Sequence, residues 1–357
     1  MLRTEPAVFV VGRNYQIITT TKSQAFVSVK VGDKIFVDDS NGILKSASKT
    51  HNITVPQELL DAEKHYTIIE KGIIKRLPYF SRTRADKFYE FDFCPVPENP
   101  RIYHISDTHN FVDMAVKSAE NFGKIDALVL NGDVPEDSGN VKNFDTIFDI
   151  CALITHGNIP VVFSRGNHDL RGNCAELFAA YAPNENGNTY YSFKLGNIWG
   201  LVLDCGEDKT DDHAEYGCTV ACHGFRERET EYIQKIIENR EYDSLDIKRK
   251  IIICHVPFNH KYNPPFDIEP EIYTKWTTLI RENIKPDIML CGHTHYFACI
   301  MPGDSYNTYG DICPIIIGSQ ILKKGEDFAG AGFEFLDDKI NVRYTSPDNE
   351  CIKEYSL

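Results

Sequence analysis

Over the first quarter of the chain, apolar and polar residues alternate with a period of two, which predicts half-buried β-strands. The runs cover residues 7–11, 15–19, 25–31, 35–37, 66–69 and 87–93, broken by the turn signals Gly32 Asp33 and Asn41 Gly42. They predict a small antiparallel β-sandwich over residues 1–95. Pro95, Pro97 and Pro100 follow. Proline continues neither a helix nor a central strand, so this segment marks a domain boundary.

Beyond it the rhythm changes. Short apolar runs at 102–106, 127–130, 160–164, 251–254, 287–291 and 314–318 predict strands, and helical spacing predicts helices at 113–122, 143–155, 225–239 and 272–284. In the second helix Phe144, Ile147, Phe148, Cys151 and Ile154 share a face, and Gly157 offers a C-terminal cap. Hairpins are expected around Gly196 Asn197 and around 337–339. Strands alternating with helices predict an α/β layered domain over residues 96–357.

Composition narrows the function classes. A 42% hydrophobic and 25% charged chain of 357 residues is that of a globular protein with a large core. No apolar run approaches the roughly 18 residues of a spanning helix, and the start lacks a secretion-signal pattern, so no membrane association and a cytoplasmic location are expected. The eleven cysteines form no regular framework and are expected to be reduced and buried. The net charge of −14 excludes a general nucleic-acid-binding surface. Charge is uneven: residues 1–95 hold 14 Lys/Arg and 11 Asp/Glu, leaving 24 and 41 for the remainder. An anionic substrate entering the acidic part needs local positive charge, which bound divalent cations supply.

Five short segments place Asp, Asn or His just beyond a predicted strand: Asp107 with His109, Asp133, Asn167 with His168, His255, and His293 with His295. In α/β sheets the carboxyl ends of strands open onto a shared crevice where ligands collect. Imidazole mixed with carboxylate suits manganese, iron or zinc. Seven ligands exceed one tetrahedral site, whereas two ions about 3.5–4 Å apart that share a carboxylate account for them. Such a pair lowers the pKa of a bridging water and clamps phosphoryl oxygens, the two needs of phosphoester hydrolysis. A lone Asp-x-His is weak evidence, but five segments in order are specific.

Residues 101–320 resemble the calcineurin-like metallophosphoesterase superfamily through Asp107-x-His109, Gly132 Asp133, Gly166 Asn167 His168 Asp169, His255 and Gly292 His293 Thr294 His295. The resemblance implies an αββα sandwich and two divalent ions. Asp107, His109, Asp133 and His295 would hold the first, and Asp133, Asn167, His255 and His293 the second, with Asp133 as the bridge. It implies a metal-bridging hydroxide as nucleophile, His168 as general acid, and a phosphoester small molecule as substrate. A β-sandwich ahead of such a domain also resembles purple acid phosphatases, whose leading domain is fibronectin type III-like. The chain departs from them in having Glu136 at their tyrosine-ligand position and in having His109, which favours a plain di-metal centre.

Weaker signals accompany these. Glu136 is open to pairing with His168 or to being a solvated loop carboxylate, and Arg165 to binding phosphate or to a salt bridge. Cys218, Cys222 and His223 suggest a zinc site without a second ligand pair at finger spacing. The acidic stretch 204–212 is expected to rim the crevice. Gly330 Ala331 Gly332 lacks the preceding strand of a dinucleotide fingerprint. Alternatives to a phosphatase are a phosphodiesterase acting on cyclic nucleotides or other diesters, and a weakly active scaffold for protein binding.

Overall fold

The computed structural model describes residues 1–357 except 40, 41, 319 and 324–326, and of residues 320–323 it describes the backbone. Two β-sheets lie face to face. The larger runs in the order Asn349–Ser356, Ile340–Ser346, Asp327–Phe335, Arg101–Ile105, Ala127–Asn131, Val161–Ser164, Ala7–Val11, Asn14–Val31, His65–Arg76, Ser81–Thr83. The smaller runs Tyr191–Leu195, Ile198–Leu203, Arg249–Cys254, Ile288–Cys291, Ile315–Ile317, Ala298–Ile300.

The central strands are apolar on both faces because both are covered, the pattern expected of parallel strands between helix layers. In Arg249–Cys254, for example, Ile251 and Ile253 join the core between the sheets, while Ile252 faces the outer layer with Trp276, and all are fully buried. Each such side chain contributes about 1.5–3 kcal/mol through its removal from water. Val112–Phe122 and Asp145–Thr155 cover the larger sheet through Ala115, Phe122, Phe144 and Phe148. Cys222–Asn239 and Pro270–Leu279 cover the smaller one through Ile233, Ile236, Tyr273 and Trp276. The order helix, sheet, sheet, helix is the expected αββα sandwich.

The leading β region does not stand apart from these layers. Ala7–Val11 pairs in parallel with Val161–Ser164, Phe9 opposite Val161, and antiparallel with Asn14–Val31. Backbone pairing thus crosses the boundary expected at residue 95. Asn14–Val31 is one strand where two were expected. Its first half pairs with Ser48–Pro56 and its second with Lys34–Val37 and His65–Arg76.

Other local outcomes differ from expectation. His156, not Gly157, takes the left-handed cap after Asp145–Thr155, its N–H donating to the Ala152 carbonyl. The last expected helix divides into Pro270–Leu279 and a wider turn, Ile280–Ile284. Gly330 and Gly332 lie inside Asp327–Phe335, where an added Cβ would strike the Tyr103 and Phe122 rings. Asn41 of the expected Asn41 Gly42 hairpin lies outside the described residues. No helix among the described residues is long and apolar enough to cross a membrane. All eleven cysteines are unpaired, and Cys151, Cys205, Cys222, Cys254, Cys291 and Cys313 are buried, whereas Cys94, Cys218 and Cys351 are exposed.

Candidate metal centre

The pairing register sets several strand ends level. Ile105 lies opposite Leu130, Ser164 opposite Asn131, and Cys291 opposite Ile317. Each chain then turns sharply. Asp107, His109, Asp133, His293 and His295 all have positive φ, between 44° and 69°. Non-glycine residues adopt this conformation at a cost of roughly 1–3 kcal/mol each, and its concentration at one crevice is a mark of function. Two glycines make room: a Cβ at Gly166 would lie 2.2 Å from Asp133 Oδ1, and one at Gly292 would lie 1.8 Å from Ser106 Oγ.

These turns bring the sequence-predicted residues together. Asp107, His109 and His295 each offer a donor atom within 4.8 Å of the others, as do Asp133, His255 and His293. A third group, His109, Glu136 and His168, adjoins the first. Asp107 accepts from the His293 N–H, Asp133 Oδ1 accepts from the His168 N–H at 2.8 Å, and His293 Nδ1 stands 2.9 Å from Asn167 Oδ1. Both ring nitrogens of His109 and Nε2 of His255 are buried without a hydrogen-bond partner. Buried polar atoms are rarely left so, and unmatched imidazole nitrogens facing carboxylates fit a divalent cation. His255 Nδ1 meets the Asn131 carbonyl at 2.7 Å, leaving Nε2 directed at Asp133 Oδ2, 3.2 Å away.

The electrostatics follow from burial among opposed charges. Burial alone would lower His255, but Asp133 and Asp107 outweigh it and push its pKa up to about 10. Burial raises Asp133 too, yet the surrounding histidines, His255 foremost, hold it well below the usual carboxylate range. Burial pushes Asp107 up. It also drives His109 and His293 down to about 4, so both rings are neutral at pH 7, the form that binds metal. Asp169 is pushed up to about 8, by burial first and then by Asp133, while its Oδ2 accepts from the Gly166 N–H and pins the turn.

Several contacts were not legible in the sequence. His168 is oriented from both sides: Nδ1 lies 2.8 Å from the Glu136 carbonyl and Nε2 lies 3.2 Å from Arg171 Nη1. It is thus the Glu136 backbone, not its carboxylate, that pairs with His168, and the carboxylate sits 3.3 Å from His109 Nδ1. Arg171 is held by Glu207 at 2.9 Å and by Asp208 at 3.2 Å, from the acidic stretch expected to form a rim. Buried Arg226 in turn donates to the Glu207 and Cys205 carbonyls and fixes that loop. Arg165 is salt-bridged to Asp204 at 2.7 Å. Among the described residues Cys218, Cys222 and His223 do not converge; His223 pairs with Glu269.

Residues 100–297 match the family model described as calcineurin-like phosphoesterase. No curated protein matches the sequence significantly. Among solved structures the fold is similar to a purple acid phosphatase from yellow lupin (Lupinus luteus) seeds, with a TM-score of 0.63 and 15% identity over 99% of this chain and 73% of that one. It is also similar to PhoD, with a TM-score of 0.56 and 13% identity over 99% of this chain and 89% of that one. The family match spans more than half the chain and carries the convergent Asp and His clusters: this chain belongs to the calcineurin-like phosphoesterase family and is a metal-dependent phosphoesterase.

Proposed function

We propose that the protein hydrolyses small-molecule phosphoesters with two divalent ions. Asp107, His109, Asp133 and His295 hold one; Asp133, Asn167, His255 and His293 hold the other. The observation that carries this reading is the pair of adjoining clusters, Asp107 with His109 and His295 and Asp133 with His255 and His293, both lined by unmatched buried nitrogens. Manganese, iron or zinc bound there supplies charge neutralisation at the phosphoryl oxygens and a water of lowered pKa.

The remaining work falls to the chain. His168 stands beside the first cluster with its ring fixed at both nitrogens, the position for delivering a proton to the leaving oxygen. The Glu136 carbonyl only accepts, so Nδ1 carries the hydrogen there, while Arg171 only donates, so Nε2 accepts. To act as the donor, Nε2 must therefore be released by Arg171 and take up a proton from solvent as the substrate enters. Its guanidinium is then free to meet a phosphoryl or leaving-group oxygen. Residues 1–95 serve as a packing and positioning module, a reading supported by Ala7–Val11 lying beside the strand that feeds the Gly166 to Asp169 turn.

The test is hydrolysis of p-nitrophenyl phosphate and of its bis ester by protein reconstituted with manganese, iron or zinc. Turnover that depends on metal and falls in His168→Ala and Asp133→Asn is expected. A metal-loaded protein inert on both esters and on a broad phosphoester panel would sink the proposal.

A further inference from the structure

A pocket of about 880 Å³ adjoins the centre, and Arg171 belongs to both: it lines the pocket and its Nη1 is 3.2 Å from His168 Nε2. His168 is not itself in the lining, so Arg171 is the side chain that links the pocket to the proposed proton donor. Its size is that of a site for a small organic molecule. Resting on the proposed phosphoesterase reading, we infer that this pocket takes the alcohol portion of the substrate and that this portion carries a flat aromatic ring system.

The lining argues for shape over charge. Arg165, Arg171 and Arg228 face Glu176, Glu207 and Glu215, so formal charges cancel. Most are already engaged: Arg165 with Asp204, Arg171 with Glu207, and Glu215 with Lys209. What remains is stacking surface. The Phe225 ring, half-buried in the wall, has the Arg165 guanidinium 5.4 Å and the Arg228 guanidinium 6.0 Å from its centre, with Tyr190 packed at 5.3 Å. Arg228 is exposed and has no carboxylate partner among the described residues. Its planar cation is thus free to take a second ring, as guanidinium groups do over aromatic faces. Tyr216 adds a further ring to the lining, its hydroxyl tied to Asp208.

The experiment compares 2-naphthylmethanol with its saturated counterpart decalin-2-ylmethanol, matched in size and in alcohol acidity. Binding of each is measured by calorimetry on the whole protein, and hydrolysis of each phosphate monoester is measured on the metal-loaded protein. The aromatic alcohol is expected to bind roughly tenfold tighter, and Arg228→Lys, which keeps the charge and loses the plane, and Phe225→Ala are each expected to remove most of that preference. The esters are expected to show the same preference in KM. Equal binding of the two alcohols, or a full preference surviving in both variants, overturns the inference. A binding preference not mirrored in KM overturns the leaving-group assignment. Preference in binding with neither ester hydrolysed counts against the proposed function, not against the chemistry of the pocket.

Discussion

His168 Nε2 lies 3.2 Å from Arg171 Nη1, and Arg171 is itself held by the buried Glu207 carboxylate. A proton donor matters most when the leaving alcohol is a poor one. His168→Ala should therefore lower kcat by about 10²- to 10⁴-fold for alkyl phosphates and by much less for p-nitrophenyl phosphate. Arg171→Ala should shift the same leaving-group dependence by roughly tenfold. A uniform loss across leaving groups in either variant would assign these residues to binding instead.

Asp133 touches both sides of the centre, with Oδ1 on the His168 N–H and Oδ2 near His255 Nε2. Asp133→Asn is expected to lower the affinity for both ions by more than the roughly 10- to 100-fold that loss of an outer partner costs. Asp107→Asn should weaken chiefly one. Metal analysis after dialysis against graded chelator reads the two stoichiometries. Retention of two ions by Asp133→Asn would rule out the bridging role.

Metal binding should be coupled to protons through His255. In the metal-free fold its pKa is raised from 6.5 to about 10, so the stability it contributes is whole below about 6.5 and is lost as pH rises through about 10. A ligating imidazole must be neutral, so ion binding displaces that proton. The rise in Tm on adding manganese or zinc is expected to grow between neutral and alkaline pH, and His255→Ala should flatten the trend. A metal-induced shift with no dependence on pH would contradict the assignment.

Glu229 is fully buried, its Oε1 accepting from the Asp204 N–H at 2.8 Å, and burial raises its pKa well above 4.5. A raised carboxyl contributes stability that is present below its unfolded pKa and is lost as pH rises toward the folded one. Glu229→Gln keeps the acceptor and never ionises. Relative to wild type it should gain stability with rising pH, by at most about 1.4 kcal/mol per unit. Parallel Tm profiles for the two proteins would show that Glu229 is charged in the fold.

Residues 96–357 alone should fail to give soluble, active protein. Without Ala7–Val11, the strand Val161–Ser164 becomes an open edge, and Val8, Val10, Tyr15 and Ile17 leave the core they share with Val162 and Val202. Expression of the truncated chain, followed by gel filtration and circular dichroism, checks this. A folded, active truncation would show that the leading β region is dispensable.

The proposed ligands were legible because each sits within a few residues of an apolar strand, so local pattern carries the signal. The residues that orient His168 were not. Arg171 and Glu207 meet across 36 positions of sequence through two loops, and no periodicity marks such a contact. The same holds for Phe9 and Val161, since alternation in residues 7–11 specifies a strand without naming its neighbour. Glu136 was legible as a position but not as a contact, because its backbone carbonyl does the pairing. His156 displaced Gly157 as the helix cap; Gly157 N–H instead faces Thr155 Oγ1, and its carbonyl accepts from Tyr66.

The pairing of Phe9 with Val161 also sets a timetable for biosynthesis. The strand Ala7–Val11 waits for about 150 further residues before its parallel neighbour exists, roughly 8–30 s at ordinary elongation rates. Its antiparallel partner Asn14–Val31 is adjacent in sequence and pairs at once, so a hairpin forms early with one edge unclaimed. The turn at Gly166 to Asp169, which carries the proposed proton donor, emerges just as that edge is filled. Completion of the candidate active site is thereby tied to capture of an earlier part of the chain by a much later one.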